Sequence, residues 1–201
     1  MARSNGIDIP SLCYHRKLTP TGACRLCVVK IEGRPGLVAA CTVAVSDNMV
    51  VTAFDSDLEE MRRYLLECLL GEHDEASDPS YTDDFKALVT RYGLEDPQQR
   101  TLPKIVEQFE APLDDSSPVL TYEAGKCIKC FRCIKACEEV QGKGVLSMAR
   151  RGLQTCVIAG AGRWRASECD GCGECIQLCP TGAIVEKPHR KTLAAGPADK
   201  N

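Results

Sequence analysis

Short apolar runs broken by turn residues open the chain, and helical spacing follows them. Arg25-Leu26-Cys27-Val28-Val29-Lys30-Ile31 leads into Glu32-Gly33-Arg34-Pro35-Gly36, which predicts a strand and then a turn. Leu37 to Thr42 and Met49 to Phe54 are predicted as two more short strands, and residues 1–55 as a first unit. Ser56 with Glu59 has the form of a capping box. Leu58, Met61, Leu65, Cys68 and Leu69 then recur at helical spacing as far as Gly71. A second helix is predicted over Thr82 to Tyr92, with Phe85, Leu88, Val89 and Tyr92 on one face and Gly93 as its stop. Pro112 to Pro118 is expected to be an extended connector, so that 56–120 forms a helical linker. Residues 121–188 make a third unit, and 189–201 a polar tail expected to be poorly ordered. The expected fold class is α+β.

The 201 residues carry a formal charge of −3, which gives no reason to expect nucleic acid or an anionic membrane as partner. No stretch approaches the roughly 18–20 apolar residues of a membrane span, and MARSNGIDIP lacks the apolar core of a signal peptide. The expectation is a soluble, cytoplasmic chain. Fourteen cysteines change the picture. In a reducing compartment such a density points to metal, and neighbours two or three residues apart would make strained disulfides.

Two dense runs form the only internal repeat: Cys127-x2-Cys130-x2-Cys133-x3-Cys137 and Cys169-x2-Cys172-x2-Cys175-x3-Cys179-Pro180. This is the two-cluster bacterial ferredoxin spacing, in which the fourth cysteine of each run ligates the other run's cluster. A tight loop aims three thiolates at three corners of a cubane, and the helix beginning at the third carries the next cysteine away. One [4Fe–4S] cluster is therefore expected on Cys127, Cys130, Cys133 and Cys179, the other on Cys169, Cys172, Cys175 and Cys137. Zinc, the competing metal, usually takes its ligands as two well-separated pairs. Gly171 and Gly173 suit backbone passing close to a cluster, with Phe131 and Arg132 at the equivalent place in the first run. Lys126, Lys129, Arg132 and Lys135 crowd the first run, where they either raise its potential or form a solvated helix face.

A separate quartet, Cys13-x10-Cys24-x2-Cys27-x13-Cys41, is a variant of the plant-type [2Fe–2S] pattern with a longer first gap. Ile9-Pro10-Ser11-Leu12-Cys13-Tyr14-His15 and Gly22-Ala23-Cys24-Arg25-Leu26-Cys27-Val28-Val29 resemble the [2Fe–2S] domain that opens the large iron–sulfur subunit of respiratory complex I. That module also occurs in NAD-linked formate dehydrogenases, in the small diaphorase subunit of NAD-reducing hydrogenases and in [FeFe] hydrogenases. Lys126-Cys127-Ile128-Lys129-Cys130, Cys137-Glu138-Glu139-Val140-Gln141-Gly142 and Cys179-Pro180-Thr181-Gly182-Ala183 continue the likeness over about residues 5 to 187.

The chain departs from that family twice. Family members carry a further cubane on His-x3-Cys-x2-Cys-x5-Cys; here His73 is followed by Ser77, Ser80 and Lys86, so this cluster is expected to be absent and His73 to be a surface or capping residue. The family's [2Fe–2S] domain also begins with a hairpin and helix before Asn5-Gly6-Ile7-Asp8-Ile9-Pro10. Either the true start lies earlier, or the β-grasp sheet is truncated and exposes an edge that a partner could cover. Cys68 and Cys156 are expected in the core.

No nucleotide loop or nucleophile motif accompanies the cysteines. The expected cofactors are one [2Fe–2S] and two [4Fe–4S] clusters. The resemblance implies a relay subunit between a flavin/NAD(H)-binding partner and a catalytic subunit, with formate dehydrogenase first, hydrogenase second and a quinone-reducing complex third. A free-standing multi-cluster ferredoxin is the alternative.

Overall fold

The computed structural model describes residues 2–73, 84–105 and 112–187. Its elements are α+β, in small sheets with helices packed between them. β1 (Val28–Ile31) lies between β2 (Val38–Ala39) and β3 (Val51–Thr52), antiparallel to both. The register pairs Val28 with Ala39 and Lys30 with Thr52. The strands fall where the hydrophobic pattern put them but are shorter, because Arg25–Cys27 and Ala40–Thr42 are drawn into turns around the cysteines.

α1 (Ser56–Glu72) is capped one residue earlier than the capping-box signature implies. Asp55 is the N-cap, its carboxylate accepting the Leu58 N–H at 2.9 Å, while Glu59 turns to an ion pair with Arg62. The buried stripe is also rotated from the one predicted: Leu58, Arg62, Leu66 and Leu70 point inward at intervals of four, and Met61 is exposed. Arg62, fully buried, explains the shift. Its guanidinium donates to the carbonyls of Leu26, Val28 and Ala53, tying α1 to the sheet. Glu67, also buried, accepts from the Thr101 N–H and hydroxyl and the Leu102 N–H, tying the following loop to the helix.

α2 (Asp84–Arg91) buries Phe85 and Val89 and is followed by a turn at Tyr92 and Gly93. His73 lies at the C-cap of α1 and is buried, its ring against Phe85 with centroids 4.9 Å apart. It is therefore not a surface residue; an apolar wall accepts its ring. Ser77 and Ser80 lie outside the described residues, and Lys86 is exposed on α2.

In the third region β4 (Leu113–Asp114), β5 (Leu120–Glu123) and β8 (Ile184–Glu186) form an antiparallel sheet in the order β4-β5-β8. The predicted connector thus contributes an edge strand. β6 (Leu146–Ala149) and β7 (Cys156–Ala159) make a hairpin. α3 (Arg132–Lys135) and α4 (Glu174–Leu178) pack on one another. No helix among the described residues is long and apolar enough to cross a membrane.

Candidate metal centres

Each dense run folds as a tight loop followed by a helix containing its third cysteine, Cys133 in α3 and Cys175 in α4. The loops share an unusual backbone. Gly171 (φ 73°) and Gly173 (φ 82°) flank Cys172, and Lys129 (φ 54°) and Phe131 (φ 68°) flank Cys130 in the same left-handed region. Phe131 and Arg132 were the expected counterparts of the two glycines; the backbone pairs them with Lys129 and Phe131 instead. Left-handed conformation costs an ordinary residue about 1–2 kcal/mol, and the first run accepts it twice to turn its amides toward sulfur. Lys129 N–H lies 3.4 Å from Cys127 Sγ.

The fourth cysteine of each run crosses over. Cys127, Cys130, Cys133 and Cys179 line one cavity, with Tyr122, Val157 and Ile184 among its walls. Cys169, Cys172, Cys175 and Cys137 line a second, walled by Leu120, Leu146 and Trp164. No three His, Cys, Asp or Glu side chains among the described residues converge as they would on a single ion. A single zinc needs its sulfurs about 2.3 Å from one point; thiols spread around a cavity suit a polynuclear group. Gly171→Ala is expected to lower Tm and the iron content of the second site, since an added Cβ would sit 2.6 Å from Val119 Cγ2 besides the strained φ. Thermal melts with iron assay check this.

The N-terminal quartet is assembled by the loop before β1 and the turn after β2. Cys24 Sγ accepts the N–H groups of Leu12 (3.4 Å) and Cys13 (3.5 Å). The Cys24 thiol also donates to Cys13, which lowers the Cys13 pKa and raises that of Cys24. Cys41, shielded by burial and hydrogen-bonded to Cys27, is pushed up to about 12.

Burial also pushes the thiols of Cys130 and Cys175 up to about 12, from 9.0, and raises Cys127 and Cys133. Each of these four sulfurs keeps its proton until iron displaces it, so loading them releases protons and is favoured by rising pH. In iron-stripped protein the sign reverses. Thiol pKa values raised by folding contribute stability present below about pH 9 and lost as pH climbs toward 12. Loaded protein is expected to be destabilised at acid pH and stripped protein at alkaline pH, as melting curves against pH would show.

The four basic residues of the first run each have an acidic partner. Lys126 pairs with Glu123 (2.8 Å), Lys129 with Glu72 (2.5 Å), Arg132 with Asp84 (2.7 Å), and Lys135 with Glu138 and Glu139. Lys126 and Arg132 are buried, so these two do not belong to a solvated face. Arg132 also donates to the Tyr14 carbonyl at 2.9 Å, and Glu139 accepts the Thr19 N–H at 2.7 Å, holding the Cys13 loop against the first run. Sequence reasoning missed Tyr122 and Thr181 beside the first site; no spacing rule marks them. Cys156 is buried in the core and Cys68 partly so.

Residues 1–55 match the family of 2Fe-2S iron-sulfur cluster binding domains, and 117–185 match the ferredoxin-like domain of NADH-quinone oxidoreductase subunit 3. The gamma chain of the NAD-reducing hydrogenase HoxS of Cupriavidus necator is 30% identical over 93% of this chain and 79% of its own length. The chain belongs to this iron–sulfur subunit family. Longer relatives share the region: the NADP-reducing hydrogenase subunit HndD of Solidesulfovibrio fructosivorans is 35% identical over 94% of this chain, and the NADH-ubiquinone oxidoreductase 75 kDa subunit of Reclinomonas americana 32% over 93%. The chain spans only 33% and 26% of their respective lengths. A chain in the crystal structure of NAD+-reducing [NiFe]-hydrogenase in the H2-reduced state superimposes with a TM-score of 0.80 at 27% identity, covering 99% of this chain and 81% of that one.

Proposed function

We propose that the chain is an iron–sulfur relay with a [2Fe–2S] cluster on Cys13, Cys24, Cys27 and Cys41 in a β-grasp domain. Its ferredoxin-like region would hold two [4Fe–4S] clusters, on Cys127, Cys130, Cys133 and Cys179 and on Cys169, Cys172, Cys175 and Cys137. The relay would run between a flavin/NAD(H)-binding subunit and a catalytic subunit of a hydrogenase or formate dehydrogenase. The observation that carries this reading is the grouping of each crossed set of four cysteines around its own cavity. Bound clusters supply reversible one-electron chemistry.

The chain's part is to keep the sites adjacent and dry. Leu12, Cys13 and Leu26 share one core with Ile128 and Cys130, so the binuclear site abuts the first-run site. Cys133 and Cys175 share the next core with Leu146 and Trp164, extending the contact to the second run. Cys172 is exposed, which gives that far end an outlet to a partner. Val45, Val50, Val51 and Phe54 are exposed apolar residues at and around β3, favouring an assembled subunit over a freely diffusing carrier.

Ser77, Ser80 and Lys86, which stand where the family has cysteines, support three clusters rather than four. Iron assay with EPR on reduced protein tests the whole reading. About ten irons per chain are expected, two plus four plus four. About fourteen would restore the fourth cluster; zinc alone would overturn the relay.

A further inference from the structure

Two hydroxyl groups stand at the thiols of the first-run site. Tyr122, on β5 and 2% exposed, lines the cavity with Cys127. Its phenolic oxygen accepts the Val157 N–H at 2.9 Å, which anchors it from the β7 side in the wall it shares with Cys127. A phenol keeps its proton at neutral pH, so its O–H is available as a donor. Thr181, also 2% exposed, holds Oγ1 3.7 Å from Cys179 Sγ. A thiolate at Cys179 has no proton, so the hydroxyl must donate.

The second cavity is built differently. No Ser, Thr or Tyr is among the residues that line it; its polar walls are the Lys143–Asp170 ion pair, Glu174 and the indole of Trp164. The formal charges around the first run are offset within their ion pairs, and the two hydroxyl dipoles join the Lys129 N–H among the polar groups at its sulfurs.

We propose that Tyr122 and Thr181 are positioning residues that set the reduction potential of the first-run cluster by hydrogen bonding to Cys127 and Cys179. The proposal rests on the cluster assignment above. Reduction adds one negative charge to an already anionic thiolate-ligated cluster. A donor on sulfur stabilises that more negative state and raises the potential.

EPR-monitored potentiometry on iron-replete full-length protein tests it, with the first-run signal assigned from a Cys137→Ser protein. Tyr122→Phe and Thr181→Val are each expected to shift the first-run midpoint to lower potential, and the double variant further. The second-run and binuclear midpoints should hold. Thr181→Ser, which keeps the hydroxyl, should retain the wild-type value. Unmoved midpoints in iron-replete variants, or equal shifts in all three clusters, overturn the proposal. Tyr122→Phe also deprives the Val157 N–H of its acceptor; if that variant loses iron, Thr181→Val against Thr181→Ser decides alone. Wild-type protein without cubane iron would instead overturn the assignment beneath it.

Discussion

Cys179→Ser will remove the cubane of the first run and spare that of the run in which Cys179 lies. α4 ends at Leu178, and Cys179 leaves it with extended backbone (φ −69°, ψ 120°). That exit carries Sγ out of the loop that holds Cys169, Cys172 and Cys175 and into the cavity of Cys127, Cys130 and Cys133. Pro180, whose carbonyl accepts the Phe85 N–H at 3.0 Å, and buried Thr181 fix the exit from the other side. Serine offers a harder and more basic oxygen where soft thiolate is needed. Iron should fall from about ten to about six per chain, with the remaining cubane signal that of the second run. The mirror experiment is Cys137→Ser. Cys137 lies in the wide turn Ala136–Val140 that continues α3, and its Sγ accepts the Val145 N–H at 3.3 Å on the second cavity. If each run held a cluster of its own, the two variants would exchange phenotypes, which EPR of either would reveal.

The parts of the fold that covalent spacing dictates were legible in the sequence. Two or three residues between cysteines leave few loop geometries, and the apolar runs at Val28–Ile31 and Phe85–Val89 needed no tertiary information. What was hidden depended on partners distant in sequence. The cap of α1 falls to Asp55 rather than Ser56 because Asp55 also meets Lys30 across the sheet, at 2.8 Å. The stripe of α1 was misread because Arg62 and Glu67 count as polar in any periodicity, although both lie inside with every charge answered by backbone or side chain. His73, expected as a surface or capping residue, does cap α1 but is buried, with its ring against Phe85. The basic cluster near the first run suggested a field on the cluster, but its acidic partners Glu72 and Asp84 come from elements far upstream. Tyr122 and Thr181 lie close in sequence to Cys127 and Cys179, but no spacing rule marks a hydroxyl beside a cysteine as part of the site.

Arg62→Met is expected to be the most damaging substitution outside the cysteines. Methionine matches much of the volume of the side chain but leaves the carbonyls of Leu26, Val28 and Ala53 without the donors that lie 3.1, 2.9 and 2.7 Å away. Each stranded buried acceptor costs about 1–3 kcal/mol, and removing one member of a buried charged network about 3–5. Arg62 is 0% exposed, so water cannot replace the lost bonds without opening the interface. Its Cζ also lies 5.0 Å from the Phe54 ring centroid, and that packing goes with it. The loss is local to the sheet that follows Cys27 and the turn that carries Cys41. Denaturation followed by visible circular dichroism should therefore show the binuclear bands bleaching at lower denaturant than in wild type, ahead of the cubane absorbance. Lysine at this position keeps the charge but can reach fewer of the three carbonyls, so Arg62→Lys should fall between the two. A wild-type unfolding midpoint in Arg62→Met would mean that α1 is held to the sheet by apolar packing of Leu58 and Leu66 alone.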